Sequence, residues 1–411
     1  MDTNAVAAGF SPARLDTLDA FLKTRYVDAG RIPGALTLLY RRGEIAYLRA
    51  LGFADVERGA PVREDTIFRI YSMTKPITTV AFMMLVEQGL VALDTPVHAL
   101  LPDWKELGVY QGGFVGTFRT KRPDRPMLIL DLLRHTSGLT YGFQQSTNVD
   151  AAYRKLQIGE GERQGTLDDM VQKLAAVPLE FSPGTAWNYS VSTDVLGYLV
   201  GKLSGMAFPE FVRARVLDPL GMKDTDFHVR RGSEQRFAAC YVATPAGGMK
   251  LQDDPAASPY LKPPTLFSGG GGLVSTAADY LRFCRMLLDG GSLDGVRLLG
   301  RKTVELMTMN HLPEGKDLPA LSRSLFSEAA YSGVGFGLGF AVTLDPARTL
   351  IPGSAGEFSW GGLASTAFFI DPAEDLIAIL MTQLMPSTTY PIRRELRTLV
   401  YSALEDVNAR R

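Results

Sequence analysis

Twelve lysines lie in this chain, and one of them, Lys75, has a serine three residues before it, in Tyr71-Ser72-Met73-Thr74-Lys75-Pro76. A serine hydroxyl at its ordinary pKa is a poor nucleophile and needs a base within hydrogen-bond reach. On a helix, residues i and i+3 share a face, so Lys75 is spaced to serve Ser72 without any histidine. Pro76 is tolerated only near a first turn, which predicts a helix beginning close to Ser72. The run Ile77 to Val86 is apolar on nearly every face, the pattern of a buried helix. A hydroxyl at its start meets free backbone N–H groups and the positive end of the helix dipole, both favourable to developing negative charge. The same position suits a serine that does no more than cap the helix, and the motif alone leaves both readings open.

Other routes to an activated serine find little support. A Gly-x-Ser-x-Gly elbow is absent, since Ser354 sits in Pro352-Gly353-Ser354-Ala355-Gly356, where proline holds the first position. Of the four histidines, His98, His135, His228 and His311, only His135 has a motif-like setting, His135-Thr-Ser-Gly-Leu139, and a structural or hydrogen-bonding role is expected for it. Without histidine, tyrosine or lysine must relay protons. Tyr189, in Phe181-Ser-Pro-Gly-Thr-Ala-Trp-Asn-Tyr189-Ser-Val-Ser192, follows a Pro-Gly turn and stands at the lip of a helix; its alternative is a buried ring with a satisfied hydroxyl. In Trp360-Gly361-Gly362 two glycines let a backbone approach a ligand closely, or form an edge bulge. The glycine run Ser268 to Leu273 lacks the Lys-Ser or Lys-Thr that a phosphate loop carries.

The bulk numbers bound the partners. At 411 residues the chain has ample material for a substantial core and for two or three domains. Lys plus Arg (43) balances Asp plus Glu (44), which argues against nucleic acid and anionic membrane as partners. Cys240 and Cys284 fit neither a disulfide framework nor a metal spacing and are expected as free thiols. No secretory leader or span of membrane length is evident, so a cytoplasmic protein is expected.

Hydrophobic patterning supplies the scaffold. Ser11-Pro12 opens a helix carrying Leu15, Leu18 and Leu22. Ala35 to Arg41 and Ile45 to Leu51 read as a hairpin, mirrored near the other end by Ser365 to Ile370 and Leu376 to Thr382, with a further strand from Gly335 to Leu344 and a last helix from Tyr390 to Val407. Strands at both ends imply an antiparallel sheet built from the two termini. Between them, helices are predicted over Leu130 to Arg134, Thr166 to Ala176, Ser192 to Leu203 and Pro209 to Val216, and a long loop over Gly112 to Pro126. The expected organisation is an α/β lobe from residues 1–90 and 260–411 and a mainly helical lobe from 91–259, with the site in the cleft between them.

In this order, Ser72-Met-Thr-Lys75, Tyr189-Ser-Val191 and Trp360-Gly-Gly362 resemble the three motifs of the serine β-lactamase and penicillin-binding protein family, above all its family VIII carboxylesterase branch related to class C β-lactamases. The likeness runs from about Gly9 to Val400. It implies an α/β fold of the serine β-lactamase/DD-peptidase type, an antiparallel sheet flanked by helices with an inserted helical lobe. Ser72 then becomes the acylated nucleophile, Lys75 its hydrogen-bonded partner and Tyr189 a general base or proton relay. The oxyanion hole would join the backbone N–H groups of Ser72 and Leu363. Trp360, Gly361, Gly362, Val191 and Tyr141 become candidate substrate contacts. No metal or cofactor is implied.

Two departures bear on substrate. Val191 stands where lactamases carry asparagine, and Trp360 where they carry the lysine that pairs with a lactam carboxylate. An indole offers an apolar wall and one N–H donor, which favours short-chain carboxylic esters, small molecules, as substrates. A β-lactamase, a D-amino-acid peptidase or an acyltransferase using the same nucleophile, and a non-enzymatic binding protein of the same fold, are the alternatives. Oligomeric state is not legible.

Overall fold

The computed structural model describes residues 2–159, 165–324 and 331–405. Its centre is the strand Gly34–Arg41, buried along its whole length because it has a strand on each side and a helical layer on each face. Leu38 pairs with Leu48 of Glu44–Asp55 on one edge and with Ile379 of Leu376–Met381 on the other, so the two ends of the chain meet in mid-sheet. The full antiparallel order runs Val334–Phe336, Ala341–Thr343, Phe358–Gly361, Ala367–Asp371, Leu376–Met381, Gly34–Arg41, Glu44–Asp55, Ala60–Pro61. Both sequence-predicted hairpins and the terminal assembly of the sheet are therefore present.

Side chains alternate across a strand, and here the alternation divides two cores. Leu39, Phe369, Ala378 and Leu380 pack with the helices Pro12–Leu22 and Ile392–Ser402. Leu36, Leu38, Phe368, Ile370 and Ile379 face the opposite way, into a larger core shared with Thr74–Glu87, Ser192–Ser204 and Ala277–Leu288. The last helix is shorter than Tyr390 to Val407, and Val407 lies outside the described residues.

Three expectations need correction. Gly335 to Leu344 is not one strand but a hairpin, with Val334 opposite Thr343. Gly339 takes φ +88° at its turn, a conformation that side-chain-bearing residues avoid. The expected loop from Gly112 contains a two-stranded ribbon, Val109–Gly112 against Arg119–Lys121. The Pro209 to Val216 helix is an α-helix only over Phe208–Val212, which continues as a π-helical turn, Arg213–Leu217. Within the middle segment, Cys240–Ala243 pairs with both Met249–Asp253 and Leu384–Met385, which ties it to the C-terminal half of the chain.

The helix start is close to where Pro76 predicts it: a 3₁₀ turn, Tyr71–Met73, runs into Thr74–Glu87. All but three residues of the longer helix are buried, as its unbroken apolar sequence requires. Tyr71 enters at φ +42°, a costly conformation for a side-chain-bearing residue.

Ile379 is fully buried at the middle of the sheet, whereas Met309 is 56% exposed. Ile379→Ala should lower unfolding free energy by about 2–5 kcal/mol, and Met309→Ala by less than about 0.5 kcal/mol. Urea denaturation followed by circular dichroism measures both, and equal effects would contradict this core assignment.

Candidate active site

The helix start and the Phe358–Gly361 strand face each other across a cavity of about 330 Å³. Ser72, Tyr141, Tyr189, Trp360, Gly361, Gly362 and Leu363 all line it, three sequence motifs gathered at one place. Lys75 lies behind Ser72, almost completely buried, and its Nζ donates to the Ser72 Oγ at 3.3 Å and to the Gly270 carbonyl oxygen at 2.7 Å.

Around that nitrogen the surroundings are largely apolar and aromatic. The Tyr189 ring centre is 4.5 Å from Nζ and the Tyr141 ring centre 5.3 Å, and both tyrosines are themselves buried. Burial disfavours the charged amine and lowers the Lys75 pKa to about 7, with the Asp194 carboxylate opposing the fall. The phenol of Tyr189 moves the other way: burial raises its pKa, while hydrogen bonds with Ser72 and Trp360 act against the rise. Near neutral pH the site therefore holds a protonated phenol beside an amine that is partly free base. The Trp360 Nε1–H points at the Tyr189 hydroxyl oxygen from 3.4 Å, and the two rings are 5.4 Å apart.

The third motif is placed by close backbone contact. A Cβ on Gly362 would lie 2.4 Å from the Ile70 carbonyl oxygen and 2.3 Å from the Thr366 Oγ1, so only glycine lets this loop reach the turn that carries Ser72. Leu363, the next residue, is 41% exposed on the cavity wall. Arg393, from the last helix, braces the loop by donating through Nη2 to the carbonyl oxygens of Gly362 at 2.6 Å and Thr366 at 2.8 Å.

Val191 does not join the others. It is fully buried ahead of the Ser192–Ser204 helix, against Gly159, and the expectation that it touches substrate is corrected to a packing role behind the wall. His135 has the structural setting expected of it: its Nδ1 is 3.2 Å from the Ser190 Oγ, its ring is 5.0 Å from that of Tyr189, and burial with the nearby Lys75 charge keeps it neutral.

Three contributors were not singled out from sequence. Gly270, in a glycine run dismissed as a phosphate loop, supplies the carbonyl that holds Lys75. Asp194 fixes that glycine run, its Oδ1 accepting from the Ser268 Oγ at 2.5 Å and from the Gly270 N–H at 3.0 Å. The signal available for Asp194 was a carboxylate in an otherwise buried helix, five residues after Tyr189. Arg393 gave no local signal.

Comparison with known proteins identifies the family and the fold. The beta-lactamase family matches residues 19–402. Esterase EstB of Burkholderia gladioli is 33% identical over 415 residues, covering 95% of each chain. Protein Rv1367c of Mycobacterium tuberculosis is 38% identical over 362 residues, covering 87% of this chain and 88% of its own. Among solved structures, EstCE1, a hydrolase with promiscuous acyltransferase activity, superimposes with a TM-score of 0.80 at 28% identity, covering 95% of this chain and 99% of its own. A serine-hydrolase-type fold with helices around an antiparallel sheet is thus established, and the chain belongs to the beta-lactamase family.

The Lys75 environment generates a titration test. With ¹³Cε-labelled lysine, the Lys75 resonance, identified by its absence in Lys75→Arg, should titrate with a midpoint near 7. Asp194→Asn removes the charge that favours the ammonium, so it should move the midpoint lower still; a midpoint near 10 in the parent protein would refute the desolvated environment.

Proposed function

We propose that the protein is a serine carboxylesterase that hydrolyses short-chain esters of small-molecule substrates through an acyl-enzyme on Ser72. The observation carrying this reading is the Ser72 hydroxyl held between the Lys75 amine and the Tyr189 phenol at the wall of a cavity. The family relatives named esterase and hydrolase support the reaction class.

In this mechanism the neutral Lys75 amine takes the Ser72 proton as Oγ attacks the ester carbonyl carbon. The former carbonyl oxygen becomes an oxyanion, received by the backbone N–H groups of Ser72 and Leu363. Collapse breaks the bond to the alkoxide, and the Tyr189 phenol gives that oxygen its proton. Tyr189 recovers a proton from the Lys75 ammonium. Water then attacks the acyl-enzyme, with the same pair removing and returning protons. A base titrating near neutrality combines availability with driving force, which suits Lys75 to the first step and the high-pKa Tyr189 to the second.

Trp360 supports neutral esters over carboxylate-bearing lactams, because its indole fills the place of a cation beside the nucleophile. Acyl transfer to an alcohol is the same chemistry with an alcohol replacing water in the second half-reaction, and EstCE1 is a hydrolase with promiscuous acyltransferase activity on the same fold. Among the described residues no helix is long and apolar enough to cross a membrane. Both cysteines are free and buried, which fits the proposed cytoplasmic location.

Turnover of 4-nitrophenyl butyrate should fall to the uncatalysed background in Ser72→Ala, and a fluorophosphonate should label Ser72 in the parent protein, as read by mass spectrometry. Unchanged turnover in Ser72→Ala would end this reading. The pH dependence carries a sign: because the base form of Lys75 is required, kcat/KM should rise with pH through about 7 and then level.

Gly362→Ala should displace the Leu363 N–H. A loss in kcat on the order of a hundredfold is expected, the effect of removing one oxyanion donor, with KM changed much less. Loss confined to KM would place Leu363 outside the oxyanion hole.

A further inference from the structure

An oxyanion hole made of two backbone N–H groups works only if their separation is fixed before charge develops. Ser72 and Leu363 come from elements far apart along the chain, so some contact must set that separation. The segment entering the Ser72 turn is a two-residue strand, Phe68–Arg69, paired on one side with Val274–Ser275. On the other side no strand adjoins Arg69 among the described residues. Arg69 is nonetheless fully buried, and a buried residue needs partners for both its backbone N–H and its carbonyl. One side chain supplies both: Gln383 accepts from the Arg69 N–H through Oε1 at 3.1 Å and donates through Nε2 to the Arg69 carbonyl oxygen at 3.0 Å.

The same amide has no capacity left over. Its Oε1 also accepts from the Arg69 guanidinium at 3.2 Å, and its Nε2 also donates to the Thr382 carbonyl oxygen at 2.7 Å, so both acceptor and both donor positions are filled. Reversing the amide would set an NH2 group against the Arg69 N–H, so one orientation fits. Gln383 is itself buried and held. Its carbonyl oxygen accepts from the Tyr241 N–H at 2.9 Å, and the preceding Thr382 donates through Oγ1 at 2.7 Å to the carbonyl oxygen of Gly34, where the central strand begins.

The next residue holds the other half of the hole. The Leu384 N–H donates to the Ala364 carbonyl oxygen at 3.1 Å, and the Leu384 carbonyl oxygen accepts from the Ser365 Oγ at 2.7 Å. Ala364 and Ser365 complete the turn that contains Leu363, closed by the Ser365 N–H donating to the Gly362 carbonyl oxygen at 3.1 Å. Ser365 takes φ +68° there, a costly conformation for a side-chain-bearing residue, and its hydroxyl contact with Leu384 holds it in place.

We propose that Gln383 is a positioning residue of the oxyanion hole: its side chain fixes the strand leading to Ser72, and Leu384 beside it fixes the turn that presents Leu363. The role rests on the esterase reading for the charge that the hole receives. Arg393 and the Gly362 contact orient the Leu363 turn, whereas Gln383 sets where the Ser72 end lies relative to it. Without the amide, the Arg69 N–H and carbonyl would be buried unpaired, which is costly. The segment relieves that cost by shifting, and the Ser72 N–H, three residues on, shifts with it.

Two rates read the hole independently: turnover of 4-nitrophenyl butyrate, and labelling of Ser72 by a fluorophosphonate. In labelling, the Ser72 Oγ bonds to phosphorus and gives its proton to Lys75, fluoride leaves with the electron pair of the P–F bond, and the phosphoryl oxygen gathers charge where the ester oxyanion would. Gln383→Glu keeps the acceptor contacts and loses the donor contacts; Gln383→Met loses all of them. A kcat loss of about tenfold is expected for Gln383→Glu, rising toward about a hundredfold for Gln383→Met, the cost of a misplacement of about 1 Å. KM should change little, and labelling should slow by matching factors. Leu18→Ala, at a fully buried position of the Pro12–Leu22 helix, is the control for lost stability: it should lower the melting temperature and leave both rates as they are. If Gln383→Met does not fold, Gln383→Glu decides. Folded Gln383 variants that turn over ester and label at parent rates would overturn the positioning role and leave the esterase reading standing. If the parent protein does not hydrolyse the ester but labelling still slows in the variants, the esterase reading fails and the positioning role stands.

Discussion

The site depends on keeping one lysine amine out of water. A lysine side chain at the surface is an ammonium, with no lone pair to accept a proton, and burial is what makes Lys75 a base near neutrality. That burial requires a helix apolar on nearly all sides, because a helix with a wet face would let water reach Nζ. It also requires something to accept hydrogen bonds from the amine, since a buried donor without a partner is costly. The Gly270 carbonyl meets that need, and Asp194 fixes the carbonyl by binding the same residue's N–H. Asp194 adds a second influence by favouring the ammonium, so the pKa rests between full desolvation and full pairing.

The division of labour between lysine and tyrosine follows from the same apolar setting. Desolvation penalises whichever form is charged, so it lowers the pKa of an amine and raises that of a phenol. Lys75 and Tyr189, 4.5 Å apart from nitrogen to ring centre, are pushed in opposite directions by one cause. The result is a proton acceptor and a proton donor flanking one hydroxyl. A histidine would have to perform both tasks in turn, and His135, although near, is used for packing and for holding Ser190.

Features set by local pattern were legible in the sequence, and those set by long-range approach were not. Pro76 and the apolar run after it specified both the helix start and its burial. Alternation specified the terminal hairpins and hence the sheet. Ser72, Lys75 and Tyr189 were readable because spacing and neighbouring turns constrain them, and the ordered motifs then implied that they meet. Gly270 carried no such signal: what matters is the direction of its carbonyl, which depends on Asp194, 76 residues away. Arg393 acts on Gly362 across 31 residues and from another element. Val191 was misassigned because its place in a motif says nothing of which way its side chain turns at a helix start. The Gly335 to Leu344 run failed for another reason, since an alternating apolar pattern is the same in one long strand and in a hairpin folded at Gly339.

The end of the Phe358–Gly361 strand presents a mechanical problem. That strand pairs along its length with Ala367–Asp371 on one side, but on the other side Ala341–Thr343 pairs only with Phe358 and Ser359. Among the described residues, Trp360 and Gly361 thus have an open edge on the cavity, and the following loop has no neighbouring strand on that side to hold it. An oxyanion donor is useful only if its N–H is already oriented when charge develops. Two contacts supply the missing constraint: Gly362 sits against the backbone of Ile70, and Arg393 binds the carbonyls on both sides of the loop turn.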